Sequence, residues 1–296
     1  MNQNTHSPFI ESGSGVPLST QLQNLASQVA AEYLADSRVE GAIIVGSVAR
    51  GVVDQVSDID LMLYLREGFT KEEIERENQR AIDSGGNIYG GTPEEGFGVW
   101  RCVDGVKVDL GFNMIPNIEE LIVEVLENHS LENDFHLIVD GIQRSAILGG
   151  EELIAKWKDR MNAFPEPLAR KMVETNLRFS PLWVARDMCA GRDEHLWFPE
   201  LLLEYVRKML WVHCGLSRRY YPGKLKGFGY VAGTLSIAPE NFRSRVESLF
   251  SDPPEAAIST LSSLVTETHD LIDREIPEVD TTKAREWFAG KVVCRS

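Results

Sequence analysis

Residues 39–65 read VEGAIIVGSVARGVVDQVSDIDLMLYL, and the fold turns on them. Val39 to Gly46 is a short β-branched apolar run that stops on glycine, which predicts a buried strand. Ile59 to Leu65 predicts a second strand. Between them, Gly46-Ser47-Val48-Ala49-Arg50-Gly51 predicts a sharp turn into a helix. Gly46 lets the backbone turn tightly and approach a ligand closely. The amides around Ser47, at the start of that helix, favour an anion such as a triphosphate. Taken alone, GSxxxG also marks ordinary strand-to-helix turns.

The acids that follow carry more information. Asp58 and Asp60 stand two apart at the head of a strand, so both carboxylates project from one face. Adjacent carboxylates repel unless something positive lies between them, and hard oxygen ligands at this spacing suit magnesium. A solvated strand edge would also alternate acids, but the apolar remainder of IDLMLYL argues for a largely buried strand. Downstream, GFGVWRCV (96–103) and VKVDLGFNM (106–114) flank Asp104-Gly105, a hairpin signal. In the second of these, Lys107 and Asp109 share one face, while Val106, Val108 and Leu110 share the other. Asp109 is then either a surface partner of Lys107 or, with this strand beside that of Asp60, a third carboxylate. Three such carboxylates can hold two metal ions for an in-line displacement at phosphorus.

GSVARG, five intervening residues (VVDQV), SDIDL and a later hydrophobic-x-hydrophobic-Asp strand together resemble the DNA polymerase β-like nucleotidyltransferase superfamily, over residues about 40 to 112. The resemblance implies an α+β fold, with a mixed sheet and helices in the transferase domain and an all-helical domain after it. It implies that Gly46 and Ser47 bind the triphosphate and that Asp58 and Asp60 ligate metal. Asp109 would complete the site and help deprotonate the attacking hydroxyl. Two magnesium ions and ATP, or another nucleoside triphosphate, are the implied cofactor and co-substrate. Arg50 matches a commonly basic position, either a nucleotide contact or a helix-surface charge. A compact transferase domain with a helical one behind it looks like the small-molecule branch, which includes the aminoglycoside and lincosamide nucleotidyltransferases. Arg218 to Pro222 (RRYYP) with Lys224 and Lys226 resembles a helical-domain motif in which a lysine reaches the phosphates. A basic loop after a helix accounts for it equally well. The implied activity is transfer of a nucleoside monophosphate, AMP from ATP, to a hydroxyl of a small molecule, with release of pyrophosphate. Nucleotidylation of a protein side chain is the alternative acceptor chemistry. A non-catalytic nucleotide-binding protein on the same fold is the alternative class.

The rest of the chain is consistent with two domains, at 18–150 and 151–296 of its 296 residues. Apolar residues Leu22, Leu25, Val29 and Tyr33 predict a helix over 18–34, with Ser19 or Thr20 as its cap. Thr70 to Ser84 predicts another, and helical patterns cover 117–128, 151–162, 166–190, 198–215 and 254–274. Residues 1–17 read as a mobile leader. A hydrophobic share of 43% can supply a sizeable core. The net charge of -15 makes nucleic acid an unfavourable partner and gathers cations, whether metal ions or a polycationic acceptor. Solubility alone also accounts for that charge. Cys102, Cys189, Cys214 and Cys294 are scattered, without zinc or disulfide spacing, and read as buried or incidental thiols. Neither a signal peptide nor an apolar span is visible, so a cytoplasmic protein without a membrane partner is expected.

Several weaker features have both a chemical and an ordinary reading. Glu94 and Glu95 can serve as a general base toward the acceptor, or form a solvated loop pair. Glu200, Glu204, Lys208 and Trp211 share a helix face that suits a cationic amino-sugar, although intrahelical ion pairing explains it as well. Trp183, Trp197 and Trp211 read as core. Arg207 and His213 match a short ribonuclease-helix spacing of a kind that arises often by chance. The six histidines lack metal-ligand spacing, and no GxxxxGK[ST] loop is present.

Overall fold

The computed structural model describes residues 16–290. Residues 1–15 of the expected leader, and Cys294, lie outside the described residues. The N-terminal elements are α1 (Leu18–Leu34), β1 (Val39–Val45), α2 (Gly46–Arg50), β2 (Ile59–Leu65), α3 (Lys71–Asp83), β3 (Asn87–Thr92), β4 (Gly96–Val103) and β5 (Val106–Met114). After them come α4 (Ile115–Leu126), α5 (Asn133–Gln143), β6 (Ala146–Gly149) and α6 (Glu151–Asn162). The remainder is helical: α7 (Glu166–Asn176), a π-helical turn at Val184–Cys189, α8 (Trp197–Leu216), α9 (Phe228–Thr234), α10 (Phe242–Ser248), α11 (Pro254–Glu275) and α12 (Thr282–Ala289). A mixed sheet followed by a mostly helical region is the α+β arrangement expected from the sequence.

The six strands lie in the order β3-β4-β5-β2-β1-β6. Only β2 and β5 run parallel; every other neighbouring pair is antiparallel. A parallel pair needs a long crossover, and α3 with the β3–β4 hairpin provides it. Alternation along β5 then sorts its side chains. Val106, Val108, Leu110 and Phe112 are buried, while Lys107, Asp109, Gly111 and Asn113 occupy the other face. The buried face is covered by Leu22, Ala26, Val29, Ala30 and Tyr33 of α1 and by Ile74 and Ala81 of α3. Tyr33 stands edge-on to Phe112, 5.2 Å between centroids. On the opposite face, α6 covers one side of the sheet, with Ile154 against Gly41 and Trp157 edge-on to Tyr64 at 4.9 Å. Asp60 and Asp109 stay half-buried on that face.

Three local expectations are corrected. The cap of α1 is Pro17, whose carbonyl accepts from the Thr20 and Gln21 amides; Ser19 and Thr20 already lie in the first turn. The helix expected over 166–190 stops at Asn176. Pro181 cannot donate a backbone bond and disfavours helical geometry at Ser180, so the chain resumes only at the π-helical turn. Trp197 is 40% exposed, whereas Trp211 is buried. By contrast, α3 is bounded as its sequence demands: Thr70 and Glu73 form a complete capping box.

The chain forms two compact units. One runs to Val123 and resumes over Gly141–Ala163; the other comprises Glu124–Asp140 and the described residues from Phe164 onward. The second unit packs Phe179, Tyr205, Leu261 and Val265 in one cluster and Val212, Leu216 and Ile272 in another. Cys189 and Cys214 are buried in it, while Cys102, on β4, is exposed. No described helix is long and apolar enough to cross a membrane.

Candidate active site

Register places the acids. In the parallel β2–β5 pair Asp60 is the direct partner of Asp109. Asp58 precedes β2 by one residue, at the end of a turn in which Asp54 accepts from the Val56 amide and the Ser57 hydroxyl. One carboxylate oxygen from each of Asp58, Asp60 and Asp109 lies within 4.8 Å of the others. This is the sole group of three or more potential ligand residues among the described residues. At such separations like charges repel by on the order of 3 kcal/mol per pair at an effective dielectric of about 20.

Lys107 stands against that repulsion at two of the three acids. Lys107 Nζ is 2.5 Å from Asp109 Oδ2 and 3.5 Å from Asp58 Oδ2. Partial burial opposes the lysine's charge, but its hydrogen bond and Coulombic attraction to Asp109 outweigh this and hold its pKa above the usual range. The two readings of Asp109 therefore coexist: it pairs with Lys107 and also joins the acids. Three carboxylates gathered this closely offer hard oxygen donors that suit a divalent cation such as magnesium.

Gly46 has φ +71°, and a Cβ there would land on Oδ2 of Asp60. Its lack of a side chain thus serves the close approach of the turn to the acid, a constraint the sequence does not disclose. The Ser47 side chain makes no hydrogen bond among the described residues, and Arg50 is half-buried at the end of α2. That helix is only five residues long and closes on Gly51 in the left-handed region.

Tyr89 is the site residue that sequence reasoning missed. It occupies a register shift in β3, between the pairs Ile88–Val99 and Gly90–Gly98. Its hydroxyl donates to Asp109 Oδ1, although the residue is 62% exposed. Partial burial and then this hydrogen bond keep the phenol above its ordinary pKa. The available signal was Asn87-Ile88-Tyr89 between Gly86 and Gly90-Gly91.

Other predicted residues stand elsewhere. Glu94 and Glu95 are exposed in the β3–β4 turn. Gly96 beside them pairs with Asn113, four residues along β5 from Asp109, or about 13 Å. In the second unit the RRYYP segment is packed. Arg218 forks onto Glu166 at 2.6 and 2.9 Å, and buried Arg219 lies 3.6 Å from Asp140. Tyr221 stacks on Trp211, 4.1 Å between centroids, and its amide donates to His136 Nδ1. Lys224 and Lys226 are exposed in the loop that follows. Trp197, Glu200, Glu204, Arg207, Lys208 and Trp211 line a groove of about 520 Å³. Its two acids face two bases, and Lys208 is bound to Glu204 at 2.9 Å and to the Arg178 carbonyl at 3.0 Å.

Residues 25–90 match the family model described as a nucleotidyltransferase domain. No curated protein matches the chain in sequence. Among solved structures, a nucleotidyltransferase-like protein from Exiguobacterium sibiricum aligns over 87% of this chain and 81% of that one, at 12% identity and a TM-score of 0.36. The match over 25–90 spans β1, the Gly46 turn and both acids of the SDID segment, so the chain carries a nucleotidyltransferase domain of the polymerase β-like superfamily.

Proposed function

We propose that this nucleotidyltransferase moves AMP from ATP to a hydroxyl of a small molecule and releases pyrophosphate. The reading rests chiefly on the pairing of Asp60 with Asp109 across β2 and β5, with Asp58 alongside and the Gly46 turn against them. Asp58, Asp60 and Asp109 would hold Mg²⁺, two ions when the triphosphate is bound. Bound there, the metal neutralises phosphate charge and makes the attacking hydroxyl more acidic.

The protein's own groups do the rest. Asp109 accepts the proton of the attacking hydroxyl, and the amides at Gly46 and Ser47, with the Ser47 hydroxyl, hold phosphate oxygens. Because α2 is so short, these amides act individually and not through a helix macrodipole. Arg50, Lys224 and Lys226 are further candidates for nucleotide contact. The groove beside Trp197 and Trp211 has balanced charges, so net charge there gives no preference for a cationic acceptor.

The test is direct. Incubated with Mg²⁺, each of the four ribonucleoside triphosphates and a panel of aminoglycosides, lincosamides and simple polyols, the protein should release pyrophosphate in step with an acceptor mass gain of one nucleotidyl group. ATP should be the best donor. Tight triphosphate binding with no pyrophosphate from any acceptor would replace this reading with the non-catalytic one.

A further inference from the structure

We infer that Tyr89 is itself an acceptor, and that the chain can nucleotidylate its own Tyr89 hydroxyl. The inference rests on the nucleotidyl-transfer reading above. An edge strand could leave an exposed tyrosine free to rotate, and fixing it costs on the order of 1 kcal/mol of rotamer entropy. Here two devices fix it. The register shift between Ile88 and Gly90 makes Tyr89 the extra residue of β3 and re-aims its side chain. Its ring then lies over Gly98, where a Cβ would come within 3.3 Å of Cδ2. Gly98 pairs with Gly111 on β5, two residues from Asp109 on the same face.

The hydroxyl ends on Asp109 Oδ1, the carboxylate assigned to take a proton from the attacking oxygen. Lys107 holds the other oxygen of the same carboxylate and also reaches the phenol. A hydroxyl hydrogen-bonded to a base that is itself oriented by a third group is the arrangement of an activated nucleophile. Because Tyr89 is 62% exposed, the approach to its oxygen is not walled off by the sheet.

In the step, the Tyr89 oxygen attacks the α-phosphorus of a nucleoside triphosphate while its proton passes to Asp109. The bond from the α-phosphorus to the oxygen bridging to the β-phosphorus breaks. Pyrophosphate leaves with that electron pair, and a tyrosyl–nucleoside phosphodiester remains. No oxidant or second co-reactant is required.

The test uses the full chain with ATP and Mg²⁺ or Mn²⁺, without any acceptor, followed by intact mass and peptide mapping. Calorimetry on the same preparation measures nucleotide binding. The expected result is a single nucleotidyl adduct on Tyr89, formed at a rate independent of protein concentration and stable to mild acid and to hydroxylamine. Tyr89→Phe and Asp109→Asn should both reduce the label to background. An acid-labile adduct on Lys107, or label that depends on protein concentration, would overturn the inference. Metal-dependent ATP binding with Tyr89 unmodified would overturn it and leave the transfer reading intact. Absence of binding would overturn both.

Discussion

Where β2 meets β5, Asp58 and Asp109 share Lys107, whereas in the Arg218–Pro222 segment each arginine has its own acid. The second region resembles a phosphate-binding motif in sequence; its Arg218 and Tyr221 are engaged within the helical unit, while Lys224 and Lys226 are exposed. Arg218 is forked on Glu166, and Tyr221 lies flat on Trp211. The first region gathers three carboxylates within 4.8 Å of one another, beside a serine hydroxyl with no hydrogen bond among the described residues. The difference teaches a rule for this chain: opposite charges packed within one unit build the fold, and like charges gathered on adjoining strands suit a cation.

Breaking the first region should abolish chemistry while sparing the fold. Asp58→Ala or Asp60→Ala is expected to lower nucleotidyl transfer by several orders of magnitude, as read by pyrophosphate release. Thermal melts of the metal-free variants should match or slightly exceed wild type, because like-charge repulsion is relieved. Gly46→Val comes next. A side chain in the left-handed region costs about 1–2 kcal/mol and here also displaces the Asp60 carboxylate. Mn²⁺ binding followed by paramagnetic resonance should be lost in a protein whose circular dichroism stays native.

How far the sequence could be read follows the same division between local and long-range causes. Asp-Gly between alternating runs predicts β4 and β5 to the residue, and the capping box bounds α3 equally well, because both signals are local. The shared face of Asp58 with Asp60, and that of Asp109 with Lys107, were legible from alternation along the chain. The pairing of Asp60 with Asp109, 49 residues away, was left open, since it depends on β2 and β5 lying side by side. β3 was missed because Asn87–Thr92 is exposed throughout and carries two glycines, so it shows no buried face. Tyr89 was lost with it. At RRYYP the acids that pair with Arg218 and Arg219, Glu166 and Asp140, are 52 and 79 residues away, so only tertiary structure reveals them.

Breaking the second region should do the opposite. Tyr221→Ala removes a buried ring from Trp211 and should cost about 3–5 kcal/mol in denaturant unfolding, with Mn²⁺ binding unaltered. Acid gives a milder version. Burial pushes His136 down from 6.5 to about 4 and His213 to about 3, and it lowers His269 as well. A histidine with a depressed folded pKa favours the fold in its neutral form. Stability from His136 is therefore complete above about pH 6.5 and declines as pH falls toward 4, by on the order of 3 kcal/mol. Guanidinium unfolding at pH 7 and pH 5 should show about 2 kcal/mol of that loss from His136, and His136→Gln should reduce the pH dependence by that share. The smallest effect belongs to Lys107→Met, which removes a cation from beside Asp58 and Asp109. Mn²⁺ should bind about fivefold tighter, corresponding to about 1 kcal/mol.

The central claim is that Asp58, Asp60 and Asp109 jointly hold the metal through which a triphosphate binds. Calorimetric titration of a non-hydrolysable ATP analogue into wild type and Asp60→Asn, each with Mg²⁺ and with chelator, tests it most directly. The account predicts binding by wild type with Mg²⁺ alone among the four conditions. Equal binding in chelator, or by Asp60→Asn with Mg²⁺, would contradict it.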